Sequence, residues 1–226
     1  MKRTTLLFLL ALFASNLQAA VLVFDTTSYT TSAQVEAGVN SDSKSASSPP
    51  LALFSSASTS DGAANHAAAT GRHDGSGTFT TTAEVSSDDL ATSGFGAASF
   101  LGTFDSSAGR LNLHIHFDTN DGVLGSSLSS EGKLEVSLFG NSVELYHQSF
   151  VAGATIDQSF DLTSETFGSL EITLTSTATA LNALSRNVAN AQFATSFSPV
   201  PEPAPWMLVV AGILMLVVMR RRTDQI

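Results

Sequence analysis

The amino-acid sequence predicts an all-β protein: an antiparallel β-sandwich of jelly-roll or Greek-key-like order, flanked by an N-terminal signal peptide and a C-terminal transmembrane helix. Three observations carry that prediction. Several short segments alternate apolar and polar residues, the period of a strand with one buried face. Polar breaks containing Gly or Asn separate them at a spacing of roughly 8–15 residues. The two unbroken apolar runs stand at the chain ends, outside the alternating region.

Taken in order, Met1-Lys2-Arg3 is a basic leader and Leu6 to Ala14 an apolar run too short to span a bilayer. Ser15 to Ala20 is polar and small. Residues 1–19 therefore read as a secretory signal peptide, cut after Ala19 with Ala20 as the alternative. Residues 20–198 follow as one exported domain. Val21–Phe24 is its first expected strand. Asn40–Arg72 is Ser, Ala and Gly around Pro49-Pro50, and reads as a long low-complexity loop in which only Leu51, Leu53 and Phe54 can dock on a core. Thr78–Val85 and Phe95–Phe104 are further strands.

Leu111 to Asp118 gives the clearest alternation, with Leu111, Leu113, Ile115 and Phe117 on one face. Leu134–Leu138 repeats it, and Gly140-Asn141 turns the chain into Val143–His147. Phe150-Val151, Ile156–Leu162 and Leu170–Thr175 continue the series. Ala180–Ala191 sets Leu181, Leu184 and Val188 at helical spacing, which predicts a short helix before a last strand at Gln192–Phe197.

Charge and composition exclude some functions. Ten basic residues face twenty acidic ones, for a net charge of −10. Lys2, Arg3 and Arg220–Arg222 are terminal, so the domain keeps only Lys44, Arg72, Arg110, Lys133 and Arg186 against all but two of the acids. Such a surface lacks the clustered cations that nucleic acid requires, and it disfavours anionic lipid. The chain has no cysteine, so burial alone must hold the fold.

Candidate chemistry is sparse. His114 and His116 are two apart on a strand, so they share one side with Asn112 and Asp118. A His-x-His pair on a strand is how metalloenzymes of the cupin kind begin a metal site, and a metal-dependent enzyme or metal-binding module on this strand is the alternative function. Further ligands would have to come from His66, His73, Asp74 or His147, and no spacing places them. A polar face opposite an apolar one already accounts for the pattern, so the reading assigns no metal and no cofactor. Asp118-Thr119-Asn120-Asp121-Gly122 has Gly one position too early for an EF-hand loop and reads as a turn. Ser76, between Gly75 and Gly77, reads as a loop residue rather than a nucleophile, and no pair of carboxylates is set up for glycoside hydrolysis. A weak carbohydrate-binding module is a further alternative; the domain offers only Tyr29 and Tyr146 as stacking aromatics of the usual kind.

The C-terminal segment 199–226 is the most informative stretch. Val200-Pro201-Glu202-Pro203 begins a Pro-rich spacer, Trp206 to Met219 is an uncharged apolar run with Gly212 inside it, and Arg220-Arg221-Arg222 closes it. The prolines hold the backbone extended. Trp206 suits one membrane interface, and the arginines mark the cytoplasmic side. At about 1.5 Å per residue the run spans roughly 21 Å against a hydrocarbon core of about 30 Å, a marginal transmembrane helix suited to a temporary anchor.

This order resembles the PEP-CTERM sorting signal of exported bacterial proteins, the substrate tail of exosortase. The resemblance is confined to the tail, and it departs from the family in the four residues Thr223–Ile226 that follow the arginines. It implies Val200–Pro203 as the recognition and cleavage region, Trp206–Met219 as the membrane element and Arg220–Arg222 as the topological stop. The implied partners are exosortase, the export machinery, the bacterial inner membrane as a transient anchor, and exopolysaccharide. The expectation is a non-enzymatic protein that ends at the cell surface or outside the cell.

Overall fold

The computed structural model describes residues 22–48, 52–62, 65–106, 109–125, 129–162 and 166–199. The chain divides into two compact units. Ala20–Phe197 is the unit that carries the strands. The other comprises Met1–Ala19 with Ser198–Ile226, of which only Ser198 and Pro199 are described. The signal peptide with Ala19 and Ala20, the sorting residues Val200–Pro203, the anchor with Trp206, Gly212 and Met219, and Arg220–Arg222 all lie outside the described residues.

Among the described residues, twelve strands make two antiparallel sheets, a β-sandwich. They are β1 (Thr26–Ala37), β2 (Asn40–Ser48), β3 (Leu53–Asp61), β4 (Asn65–His73), β5 (Thr78–Ser87), β6 (Thr92–Ser106), β7 (Gly109–Gly125), β8 (Ser129–Gly140), β9 (Val143–Phe150), β10 (Ala154–Leu162), β11 (Thr166–Ala180) and β12 (Ala183–Pro199). The first sheet has the order β2-β1-β6-β11-β8-β9, the second β10-β7-β12-β5-β4-β3. Consecutive strands either close a hairpin or cross to the other sheet. The β8–β9 hairpin turns through Asn141 and Ser142, both at positive φ, the backbone that matches strand twist in a two-residue turn.

Alternation decides which face is buried. Leu111, Leu113, Ile115 and Phe117 of β7 point inward as the pattern requires, with Leu134, Val136 and Leu138 of β8 and Leu170, Ile172 and Leu174 of β11. These join Phe79, Phe100 and Phe104 in the larger core cluster. A second cluster contains Ala33, Val35, Ala57, Ala67, Ala69, Ala83, Val85, Ala178 and Ala180. There the sheets close on each other with almost no side chain between them. A Cβ at Gly71 of β4 would strike the carbonyl of Ala97 on β6 and lie 2.8 Å from that of Ser32 on β1. A Cβ at Gly96 of β6 would strike the carbonyl of Thr70 and lie 2.6 Å from that of Thr82. Paired hydroxyls bridge this narrow zone: Thr31 with Ser55, and Thr81 with Ser176, each at 2.7 Å and each buried. Ser55 and Ser176 also lie 3.1 Å from the carbonyls of Thr31 and Thr81.

Four expectations are corrected here. Asn40–Arg72 is not a long loop: it holds β2, β3 and most of β4. Its inward positions are Ser55, Ala57, Ala67, Ala69 and Gly71, small residues that the narrow zone requires and that offer no hydrophobic contrast. Leu53 does pack on the core, whereas Phe54 is exposed. Ala180–Ala191 is not a helix but the end of β11, a turn, and the start of β12. Leu181 and Leu184 are left exposed, while Ser185, Asn187, Ala189 and Ala191 face inward in register with β5. Pairing with a neighbour has overridden a weak local preference. Asp118–Asp121 is not a turn, because β7 runs through it. Asn187 of β12 donates to Thr119 Oγ1 at 2.9 Å and to Asp121, which Ser130 of β8 also approaches at 3.3 Å, and these bonds hold the strand extended. Finally, Val21–Phe24 is not a strand over its described residues; β1 begins at Thr26, although Leu22 is buried.

Candidate functional site

A ladder of polar pairs lies on the outside of the second sheet, where β7 runs between β10 and β12. Because Leu111, Leu113, Ile115 and Phe117 must face the core, Arg110, Asn112, His114 and His116 must face out. Each meets its direct partner across the β7–β10 pair. Arg110 Nε donates to Asp161 at 2.8 Å. Ser159 donates to Asn112 Oδ1 at 2.7 Å, and Asn112 Nδ2 donates to Ser196 of β12 at 3.2 Å. His114 Nδ1 lies 2.5 Å from Asp157 Oδ1. His116 reaches Thr155 at 3.3 Å through Nδ1 and Asp118 at 2.9 Å through Nε2. Cross-strand pairs of this kind add only modestly to the stability of a solvent-facing sheet face.

The ladder borders an open groove of about 350 Å³ lined by Asn112, His114, Asp157, Gln158, Ser159, Ala194, Thr195 and Ser196, with the buried Leu113 at its floor. Its polar groups are amides, hydroxyls and one imidazole–carboxylate pair, which suit hydrogen bonding to a neutral polar ligand. At the ladder's end, the hydrogen bond and charge of Arg110 hold the Asp161 carboxyl below its usual range, and Asp161 raises Arg110 in turn.

The two histidines are brought to the same face but to different partners. Among the described residues no group of three or more His, Asp or Glu side chains could hold a metal ion. Of the other candidate ligands, His73 is buried on the inner face of the same sheet. His66 lies on β4, three strands from β7, so the sideways separation alone is about 14 Å at the usual strand spacing. His147 stands on β9 of the other sheet, 2.9 Å from Ser137.

Ser76 is a loop residue between β4 and β5. Its hydroxyl donates to Asp74 at 2.7 Å and its N–H to the same carboxylate at 2.8 Å. Burial pushes Asp74 up, but these bonds and those from Thr78 outweigh it and bring the carboxyl to about 2. His73, Asp74 and Ser76 therefore have the residue types of a hydrolytic triad in the wrong arrangement. The serine binds the carboxylate, and the imidazole is engaged by Gly75. The sequence reading missed Asp157, Ser159 and Ser196 as partners of the ladder; the polar positions of β10 and β12 were the available signal.

No family model matches the chain, and no curated protein matches it. Among solved structures, TmCBM61 in complex with β-1,4-galactotriose is 9 % identical, with a TM-score of 0.25, covering 64 % of this chain and 86 % of that one. The infectious bursal disease virus VP2 subviral particle is also 9 % identical, with a TM-score of 0.24, covering 84 % and 69 %. Likenesses of this size carry no argument about function.

Proposed function

We propose that this chain is a non-enzymatic protein exported to the cell surface or extracellular matrix. In this reading it passes through a membrane-anchored intermediate and is sorted by exosortase at its C-terminal tail. The observation that carries the reading is the order of Pro201-Glu202-Pro203, the apolar run Trp206–Met219 and Arg220–Arg222. What supports it in the fold is that the strand-bearing unit, Ala20–Phe197, is compact without the tail. The inner membrane, the export machinery and exopolysaccharide are the partners this reading entails. Its test is the intact mass of the protein from cells with and without the exosortase. The mature form should lack Trp206–Ile226 only where the enzyme is present, and Glu202→Gln should slow its appearance by removing a charge-assisted contact worth about 1.5–3 kcal/mol. A tail retained in both cells would reduce it to a plain anchor.

A second reading, weak binding of a neutral saccharide, is favoured by the groove in which Asn112, His114, Ser159 and Ser196 stand side by side. Calorimetric titration of the full chain with neutral oligosaccharides checks it. Asn112→Ala should abolish binding while changing stability by no more than about 0.5 kcal/mol; an unchanged affinity would sink this reading.

A further inference from the structure

His73 ends β4 with 1 % of its surface exposed. Its ring stacks on Tyr29 of β1 with centroids 4.1 Å apart and lies 6.5 Å from Phe79 of β5. Nδ1 accepts the backbone N–H of Gly75 at 3.0 Å, whereas Nε2 has no partner among the described residues. An accepting Nδ1 carries no proton, so the ring is neutral with its hydrogen on Nε2. A second proton has only Nδ1 to go to, where the Gly75 N–H already points. The imidazolium and the Gly75 bond exclude each other.

The same loop is tied down at two further points. Asp74 accepts the N–H groups of Ser76 and Thr78, at 2.8 and 3.0 Å. Gly77, at positive φ, accepts the N–H of Phe193 on β12 at 3.0 Å. We propose that His73 is an acid-operated latch: protonation of its buried imidazole releases Gly75, opens the Asp74–Gly77 loop and loosens Phe193 from the corner it closes.

The groups around the ring leave the decision to His73. Tyr29 is the titratable side chain facing it from β1, and burial raises that phenol further from neutrality. Asp74, from its own loop, stays ionised down to about 2. Leu53, opposite on β3, and Phe79, on β5, are apolar. Burial lowers the pKa of His73, and the charge of Asp74 opposes this only in part. The folded-state value therefore lies below the unfolded value of about 6.5. The stability that the neutral ring contributes is complete above about pH 6.5 and is lost as the pH falls below it. Opening uncovers the stacked pair Phe79 and Phe193, whose centroids are 5.8 Å apart, so acid exposes an aromatic surface at one corner of the sandwich.

Hydrogen exchange of the full chain, read by mass spectrometry and corrected for intrinsic rates, tests the latch. Protection over residues 74–80 should be constant down to about pH 6.5, fall by up to about tenfold per pH unit below it and level off once the folded-state value is passed, while β8 and β11 stay the better protected. In His73→Asn the amide oxygen stands where Nδ1 did and can still accept the Gly75 N–H, and nothing titrates, so protection should not change with pH. Loss of equal size in both proteins overturns the proposal. If His73→Asn does not fold, nitrogen NMR of the wild-type imidazole decides. Titration below about 6.5 in step with the lost protection sustains the latch, and titration at or above that value, or without any change in protection, overturns it.

Discussion

Along β6 the interior changes character within one strand. From Ala98 to Phe104 the strand contributes Phe100 and Phe104, which meet Phe24, Tyr29 and Phe193 ring to ring. From Thr92 to Gly96 the inward positions are Thr92, Gly94 and Gly96, and the opposite sheet comes in until backbone nearly touches backbone. One zone gains its stability from the area of large side chains removed from water, worth roughly 25 cal/mol per Å². The other buries little side chain and relies on close backbone approach and on hydroxyl pairs that need the sheets to be near. Close packing is common to both, and the side chain that achieves it is not. A substitution that is benign in one zone should therefore be ruinous in the other.

The sharpest break of that comparison is Gly96→Val, because carbonyls of two strands occupy the space its side chain needs and neither is a flexible tip that can swing away. Overpacking ordinarily costs about 1–3 kcal/mol, and backbone on both sides raises that. No cooperative unfolding transition should remain in urea. Phe104→Ala works in the opposite direction in the other zone and should cost about 3–5 kcal/mol, seen as a lower urea midpoint with the slope unchanged. The smallest effect belongs to Ser176→Ala. It breaks the bridge to Thr81 but leaves the sheets close, and should cost about 1–2 kcal/mol. If Gly96→Val were tolerated as well as Ser176→Ala, the narrow zone would not be narrow.

The same contrast explains what could be read beforehand. The large-side-chain zone was legible in Leu111–Phe117 and Leu134–Leu138, because apolar residues alternate there with charged and polar ones. The narrow zone was not. In Ser55-Ser56-Ala57-Ser58 and Ala67-Ala68-Ala69-Thr70-Gly71, inward and outward residues have nearly the same size and polarity, so period two leaves no trace in hydropathy. β1 was overlooked for a related reason: its inward set, Tyr29, Thr31, Ala33, Val35 and Ala37, is mixed in character. At the candidate site the outward direction of Asn112, His114 and His116 followed from the buried face of β7. Their partners did not, because Asp157 and Ser196 belong to strands whose neighbours depend on the whole topology.

That topology has a consequence for how the chain acquires its structure. The last two strands are interior ones: β11 is seated between β6 and β8, and β12 between β7 and β5. The first sheet cannot be completed before Ala180 has been made, nor the second before Pro199, and a chain that still lacks both strands has an open gap in the middle of each sheet. The pairing of β1 with β6 and of β5 with β12 also joins segments far apart in sequence, so loops must close before any contact rewards them. Folding is accordingly slow and late, and a chain still waiting for its C-terminal strands exposes edges that invite aggregation. The nascent polypeptide is therefore safest kept apart from its own copies until β11 and β12 have been made.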